Sequence, residues 1–295
     1  MKYLITGSNG LLGQKIISQL INRKINFLAT SLGENRFSKC PGNQYQSLDI
    51  TDQKQVNEVI GAYQPDVVIN TAALTNVDAC EEDQEGCQSI NVNAVHFLMG
   101  ACEKNKAHFI QLSTDFVFDG EKGNYAEEDE RNPLSFYAKS KVNAENILFN
   151  HSFKNWSILR TIIVFGKGEN LSRSNIVLWA IESLKKGQKL TIVNDQFRAP
   201  TWADDLAWAC IRVGEINARG VFHIAGPEIF SVYELVQRIA RFHQLDERLV
   251  QPISSDTLNQ KAKRPPRTGF DLTKSREVLG YCPMTLEQSL AFLEI

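Results

Sequence analysis

Tyr137 and Lys141 combine two side-chain types that together can deliver a proton. Four residues apart on a helix, a phenol and an ammonium lie on the same face. A free tyrosine has a pKa of about 10, and a neighbouring cation favours the phenolate and lowers that pKa toward neutrality. The pair therefore predicts proton donation to a carbonyl oxygen. Because the same spacing also occurs in ordinary surface pairs, the surrounding elements must decide between the two interpretations.

The turn from Gly7 to Gly13 (Gly-Ser-Asn-Gly-Leu-Leu-Gly) supplies the first of these elements. It follows a predicted strand and opens a predicted helix, where glycines allow a tight turn, the close approach of a pyrophosphate and close packing of helix on strand. The helix N-terminus then offers N–H donors to phosphate. This G-x-x-G-x-x-G spacing is typical of short-chain dehydrogenases. The predicted cofactor contacts in the turn are Gly7, Asn9, Gly10, Leu11, Leu12 and Gly13.

The residue types after the second predicted strand indicate which nicotinamide cofactor is bound. The strand ends in Ala-Thr-Ser, whereas an NAD site usually places Asp or Glu there for the ribose hydroxyls. A hydroxyl and a cation in this region favour the 2′-phosphate of NADP, so NADPH is the predicted cofactor and NADH the alternative. Later strand ends would border the adenine and the rest of the cofactor, although a helix cap and a tight turn explain them equally well. These further predicted cofactor contacts are Ser31, Arg36, Asp49, Ile50, Ala72 and Ala73.

Thr114 ends the fifth predicted strand. In a doubly wound sheet this is the carboxyl edge, where ligands bind. Thr114 would orient a carbonyl, Tyr137 would protonate it, and Lys141 would act on Tyr137 while binding the cofactor ribose; the cofactor supplies the hydride. A hydroxyl that bonds only the local backbone is the alternative for Thr114. Together with the glycine turn, the three residues predict a catalytic set for ketone reduction.

The alternation of short β-branched runs with helical stretches predicts the fold class: an α/β doubly wound parallel sheet of the Rossmann type, with about seven strands and a smaller mixed lobe. Residues 1–164 and 191–225 are predicted to form the dinucleotide-binding domain. Residues 165–190 and 226–295 are predicted to form the substrate-binding lobe. The predicted strands are Tyr3–Thr6, Asn26–Thr30, Tyr45–Leu48, Val67–Asn70, Phe109–Leu112, Ser157–Ile162 and Gly220–Ile224, and the predicted helices include Leu11–Asn22, Gln53–Ala62, Ser89–Lys104 and Ser231–His243.

The charge and the hydropathy of the sequence indicate which class of molecule the protein binds. Among 295 residues, 32 basic and 34 acidic side chains give a net charge of −2, which argues against a nucleic-acid or membrane-surface role and favours a small-molecule substrate. No segment approaches the roughly 20 apolar residues of a membrane span, and a predicted strand begins at the N-terminus, so a cytoplasmic location is expected. Six cysteines at irregular separations predict reduced thiols, and no metal site is predicted.

Longer motifs are similar to those of one family. With Tyr137 and Lys141, the glycine turn resembles the extended short-chain dehydrogenases, and motifs along nearly the whole chain resemble dTDP-4-dehydrorhamnose reductases. Dehydratases of that superfamily follow their threonine with Asp-Glu for an elimination, whereas here Asp115 is followed by Phe116, which favours ketone reduction. The motifs are Leu48–Asp52, Pro65–Asn70, Ser113–Gly120, the Asp195-Gln-x-x-x-Pro-Thr201 segment, and Arg264-Pro265.

The resemblance implies NAD(P)H-dependent reduction at C4 of a nucleoside-diphosphate 4-keto-6-deoxysugar, as in dTDP-L-rhamnose biosynthesis. The residues expected to contact the substrate are Thr114, Asp115, Arg173, Gln196 and Arg264, with the arginines as partners for its diphosphate. Some relatives are homodimers, so a second copy of the chain is a further expected partner. Two alternatives stay open at this point. The stretch from Arg264 to Lys274 also resembles the regulatory subunit of methionine adenosyltransferase, and a reductase or epimerase of another nucleotide sugar fits the same motifs.

Overall fold

A computed structural model describes residues 1–258 and 260–293. Its strands are β1 (Lys2–Thr6), β2 (Asn26–Ser31), β3 (Tyr45–Ser47), β4 (Val67–Asn70), β5 (His108–Thr114), β6 (Gly123–Tyr125), β7 (Trp156–Thr161), β8 (Val164–Phe165), β9 (Leu190–Val193), β10 (Phe197–Arg198), β11 (Thr201–Trp202), β12 (Gly220–Ile224), β13 (Phe230–Ser231), β14 (Val250–Ile253) and β15 (Thr268–Phe270). Its α-helices are α1 (Leu11–Asn22), α2 (Gln53–Tyr63), α3 (Val77–Glu82), α4 (Gln84–Gln88), α5 (Ala94–Asn105), α6 (Phe136–Asn150), α7 (Ile176–Lys185), α8 (Ala203–Glu215), α9 (Val232–Phe242), α10 (Thr273–Leu279) and α11 (Leu286–Ala291).

Seven strands form one parallel sheet in the order β12-β7-β5-β4-β1-β2-β3. The chain reverses direction across the sheet between β1 and β4, which is the switch point where doubly wound folds bind ligands. Every residue of β4 and β5 is buried, as expected for central strands that helices cover on both faces. The predicted fold class is therefore confirmed.

The two faces of the sheet carry separate apolar cores. Tyr3 and Ile5 of β1 pack with α1 and α8, while the intervening Leu4 packs with α2 and α5 on the opposite face. This alternation follows from the two-residue period of a strand. The sheet is thus fixed from both sides, and the carboxyl ends of its strands are held at one edge.

The predicted helix Ser89–Lys104 differs from the observed one at its start. A π-helical turn spans Ser89–Asn93 and α5 begins only at Ala94. Within the turn, the buried Asn91 side chain accepts a hydrogen bond from the Leu74 backbone N–H (2.9 Å) and donates one to the Leu74 carbonyl (3.0 Å). These side-chain bonds join the wider turn to the segment after β4, and turns of this type are common near functional sites.

The segments outside the sheet form a further apolar cluster around α7, α9 and α11. The chain then returns to the main sheet, because Phe270, Leu272 and Tyr281 pack in the core that contains β1. The division into a dinucleotide-binding domain and a substrate lobe stays a prediction, and residues 259, 294 and 295 of that lobe lie outside the described part of the chain. Among the described helices, none has both the length and the apolar character needed to cross a bilayer.

Candidate active site

The end of β5 and the first two turns of α6 bring the three predicted catalytic residues together. Thr114 is the last residue of β5, and Tyr137 and Lys141 follow the start of α6. That start is fixed by Ser135, whose hydroxyl accepts a hydrogen bond from the Ala138 N–H (3.3 Å). All three side chains are buried, and the Thr114 hydroxyl is close enough to the Tyr137 phenol to lower its pKa.

The pKa of Tyr137 moves in the direction opposite to the predicted one. Burial raises the pKa of the phenol, and the nearby Thr114 hydroxyl opposes this only in part; the charge of Asp115 raises it further. The expectation that Lys141 lowers the pKa of Tyr137 toward neutrality is therefore wrong, because the cost of desolvating a phenolate in this buried position dominates. Tyr137 is a neutral phenol that carries its proton at physiological pH.

Lys141 is anchored to the strand beneath it. Its Nζ donates a hydrogen bond to the carbonyl of Leu112 in β5 (2.7 Å). Burial lowers the pKa of Lys141 to about 8, and Glu145 on the same helix opposes that decrease. The ammonium thus titrates close to physiological pH, within reach of the proton-transfer chemistry expected at this site.

Asp115, a predicted substrate contact, has both carboxylate oxygens engaged within the protein. One accepts a hydrogen bond from the Thr114 hydroxyl (3.0 Å), and the other accepts one from the Thr268 hydroxyl and lies 3.8 Å from Nε of Arg198. Burial raises the pKa of Asp115, while Arg198 opposes that increase. Its contact with a substrate stays a prediction.

Sequence reasoning missed Arg198, which is only 3% exposed. Its guanidinium donates hydrogen bonds to the carbonyls of Pro265 (2.6 Å) and Phe197 (2.7 Å), and it lies over the ring of Phe116 at 5.4 Å. The signal was present, because Arg198 lies between Gln196 and Thr201 in the motif quoted above. An arginine between apolar and small residues in such a motif indicates a buried partner.

The glycine turn fits a dinucleotide. Gly7 has φ +68°, and a Cβ there would lie 2.7 Å from the backbone nitrogen of Ala72; a Cβ on Gly13 would lie 2.6 Å from the Gly7 carbonyl oxygen. Helix α1 starts from Gly10, without a side-chain cap, so its first N–H groups are open to a phosphate. The turn therefore combines close backbone packing with an anion-binding helix end.

The other predicted cofactor residues lie at the start of α1 and at or after the ends of β2, β3 and β4. Asn9 accepts a hydrogen bond from the Arg36 N–H and donates one to the Glu34 carbonyl, both at 2.8 Å, so it joins the turn to the loop after β2. Arg36 is exposed in that loop. The side chain of Asp49 caps the next turn by accepting from the Thr51 hydroxyl (2.6 Å). The part played in cofactor binding by Ser31, Ile50, Leu11, Leu12, Ala72 and Ala73 stays a prediction.

The predicted substrate residues lie apart from one another. We call residues 260–267 the rim segment. There, Arg264 pairs with Asp78 of α3 (2.6 Å) and donates to the carbonyl of Ala262 (3.0 Å). Gln196 is buried and lies 3.5 Å from the Gln260 amide oxygen, whereas Arg173 is exposed between β8 and α7. The structure therefore places Gln196 and Arg264 beside one segment, and no described contact links Arg173 to them.

No group of three or more metal-ligating side chains is found among residues 1–258 and 260–293. Phe116 follows Asp115 at the position where the resemblance implies a glutamate in dehydratases, and its ring meets the Tyr137 ring edge-on at 6.2 Å. The arrangement therefore offers one phenolic proton donor, one ammonium and one hydroxyl around a dinucleotide-type turn. This set suits carbonyl reduction and has no acid at the position used for elimination.

Known proteins resemble the whole chain. Among curated relatives, a dTDP-4-dehydrorhamnose reductase from Aggregatibacter actinomycetemcomitans is 32% identical over 302 residues, which cover 98% of this chain and 97% of the relative. Methionine adenosyltransferase 2 subunit beta from Danio rerio is 30% identical over 287 residues, which cover 95% and 85%. Both relatives align along nearly all of the sequence.

Solved structures agree with this. A dTDP-4-dehydrorhamnose reductase ortholog from Clostridium acetobutylicum has a TM-score of 0.87 at 33% identity, and one from Bacillus anthracis in complex with NADP has 0.86 at 25%; each match covers 98% of this chain and 97% of the other. These similarities confirm the predicted resemblance and the oxidoreductase class. The model of the RmlD substrate binding domain matches residues 1–293, and the chain belongs to that family.

Proposed function

We propose that this protein uses NADPH to reduce the C4 ketone of a nucleoside-diphosphate 4-keto-6-deoxysugar, as a dTDP-4-dehydrorhamnose reductase does. The observation that carries the proposal is the meeting of Thr114, Tyr137 and Lys141 at the carboxyl edge of the sheet. Family membership supports a nucleotide-sugar reductase in general. We expect residues of the predicted substrate-binding lobe to determine which sugar is bound.

Each of the three catalytic residues has a separate role in the proposed reduction. A bound nicotinamide supplies the hydride to the carbonyl carbon. Thr114 orients the carbonyl oxygen by hydrogen bonding, and Tyr137 donates its proton to that oxygen as negative charge develops there. The raised pKa of Tyr137 suits this direction of reaction, because the phenol is protonated before each turnover. Lys141 binds the ribose hydroxyls and stabilises the phenolate that remains.

Cofactor preference follows from the loop after β2. Arg36 is exposed there, and Asn9 holds its backbone against the glycine turn. We expect Arg36 and Ser31 to bind the 2′-phosphate of NADPH, and the Bacillus anthracis relative was solved with NADP. Arg36→Ala should raise the KM for NADPH more than the KM for NADH. Equal changes in the two constants would remove Arg36 from the phosphate site.

The substrate's diphosphate requires cations. Arg264 is the strongest candidate, since its guanidinium is partly buried and donates a hydrogen bond to the carboxylate of Asp78 in α3. Phosphate would replace that carboxylate as the partner of Arg264. The sugar would then extend toward Thr114.

The activity is tested by following NADPH absorbance with a panel of nucleoside-diphosphate 4-keto-6-deoxysugars. Oxidation that depends on one of these sugars is the expected result. Tyr137→Phe should lower kcat by about 100-fold or more, because general acid catalysis contributes that much, while NADPH affinity is kept. Tyr63→Phe, a half-buried tyrosine on α2, is the matched control and should keep full activity. Undiminished turnover in Tyr137→Phe would refute the assignment of the acid.

A regulatory binding subunit is the second candidate, and the similarity to methionine adenosyltransferase 2 subunit beta favours it. A binding role alone does not require a buried threonine, tyrosine and lysine to meet beside a dinucleotide turn. If no sugar in the panel oxidises NADPH while the protein binds a methionine adenosyltransferase catalytic subunit in a pull-down, this second function replaces the first. Oxidation with a different nucleotide sugar would instead redefine the substrate.

A further inference from the structure

A fully buried carboxylate lies behind the catalytic residues. Glu145 is on α6, four residues after Lys141, and has no exposed surface. Its two oxygens accept hydrogen bonds from the Ser113 hydroxyl (2.6 Å), from Nε and Nη2 of Arg160 (2.9 and 2.8 Å), and from Nη1 of Arg131 (3.1 Å). The hydride and proton transfers proposed above use none of these groups.

These bonds fix α6 against the strand that ends at Thr114. Ser113 directly precedes Thr114 in β5, and Arg160 is its register partner in the neighbouring strand β7. Lys141 bonds the carbonyl of Leu112, one residue earlier. Helix α6 is therefore tied to β5 at two consecutive residues before Thr114. The separation between Thr114 and Tyr137 depends on both ties.

Glu145 also sets the charge around Lys141. On α6 itself, Tyr137 and Glu145 lie one turn to either side of the ammonium; the packed helices α3 and α4 present the thiols of Cys80 and Cys87. Asp115 lies at the end of β5 beside Tyr137, and Arg160 and Arg131 face Glu145. Of the groups that act on Lys141, Glu145 most strongly opposes the effect of burial.

We propose that Glu145 is a positioning residue for the reductase: it holds β5 and α6 in register through Ser113 and keeps Lys141 in its ammonium form. The inference rests on the proposed function, since it assigns Glu145 to the same reaction. It acts through two intermediaries, the Ser113 hydroxyl and the charge of Lys141. Removing the carboxylate charge would take away the group that most strongly opposes the effect of burial on Lys141, so the neutral amine would be favoured.

The pH dependence of kcat/KM separates this role from a purely structural one. The pKa of Lys141 is lowered to about 8, so its ammonium form is present below that pH and is lost as the pH rises through it. Wild-type activity should therefore fall on the basic side near pH 8. In Glu145→Gln, whose side chain keeps the size but loses the charge, this limb should move to lower pH by about one unit, a tenfold change in the ratio of ammonium to neutral amine.

Two further variants give the controls. Ser113→Ala removes one hydrogen bond but keeps the charge of Glu145, so kcat should fall a few-fold without a shift of the basic limb. Arg131→Met removes a cation that pairs with Glu145 and is 23% exposed, so the charge of Glu145 acts more strongly on Lys141 and the limb should move to higher pH; this variant also tests the proposal if Glu145→Gln does not fold. A limb that stays unmoved in a folded Glu145→Gln, or that moves down in Arg131→Met, would overturn the proposal.

The pKa of Lys141 can also be measured directly by NMR on protein that contains carbon-13-labelled lysine. Loss of one signal in Lys141→Met assigns it, and the measurement does not depend on enzyme activity. If wild-type protein oxidises no NADPH with any sugar, the proposed function fails. The NMR titration then still measures how Glu145→Gln changes the pKa of Lys141. An unchanged pKa of Lys141 in that variant would refute the inference even where the reductase activity is established.

Discussion

The end of β5 and the rim segment hold charged side chains in different ways. Behind β5, Glu145 and Arg160 are 0% and 1% exposed and share two hydrogen bonds, whereas the side chains of Arg264 in the rim segment and of its partner Asp78 in α3 are 18% and 38% exposed. A buried pair whose hydrogen bonds are complete fixes geometry, while an exposed pair contributes little to stability and exchanges partners easily. The first region therefore suits catalysis, and the second suits recognition of a charged substrate.

The largest expected effect comes from Arg160→Met, which breaks the buried pair. Glu145 would lose its bidentate partner while remaining buried, so the free energy of unfolding should fall by about 3 to 5 kcal/mol. Chemical denaturation measures this change. Arg241→Met is the matched control, because it breaks an exposed pair with Glu247 and should cost less than about 1 kcal/mol. Equal losses in the two variants would contradict the contrast between the regions.

Arg198→Met tests the residue that joins the two regions. Its guanidinium bonds the carbonyls of Pro265 and Pro266 in the rim segment and lies 3.8 Å from Asp115 beside Thr114. The buried Pro265 carbonyl would lose its donor, at a cost of about 1 to 3 kcal/mol, and kcat should fall because Asp115 loses its cation. Denaturation and steady-state kinetics measure both effects. A variant with full kcat and normal stability would show that the rim segment is independent of the catalytic edge.

Arg264→Ala should act on substrate binding more than on folding. Loss of a charge-assisted hydrogen bond to a phosphate should raise the KM for the nucleotide sugar about tenfold with little change in kcat. Asp78→Asn is the informative partner variant, because it weakens the competing pair and should lower that KM. If both variants raise the KM equally, the Asp78–Arg264 pair serves the fold of the rim segment instead.

The smallest effect is expected for Lys261→Met. Lys261 pairs with Glu82 on the surface, with more than half of each side chain exposed. Solvent screens such a pair, so neither the unfolding midpoint nor the KM for substrate should change measurably. A clear rise in KM would instead add Lys261 to the groups that bind the diphosphate.

Sequence patterns predicted the parts of the site that depend on neighbours in the chain. The glycine turn and the Tyr137/Lys141 spacing lie within single elements, and the β-branched runs placed Thr114 at a strand end. Arg198 and Glu145 were not predicted, because Arg198 finds its carbonyl partners 67 and 68 residues away and Glu145 is bound by residues from three separate segments. The direction of the Tyr137 pKa was wrong for a similar reason: burial depends on packing that spacing does not reveal.

The parallel pairing of β15 with β6 has a consequence for the order of folding. Thr268 in β15 pairs with Gly123 and also bonds Asp115, a contact that spans 153 residues. Such a long loop closes only after most of the chain has been synthesised, and non-local contacts form slowly. The nascent chain can therefore assemble β1 to β5 on the ribosome, but the surroundings of Thr114 are completed only when residue 268 emerges.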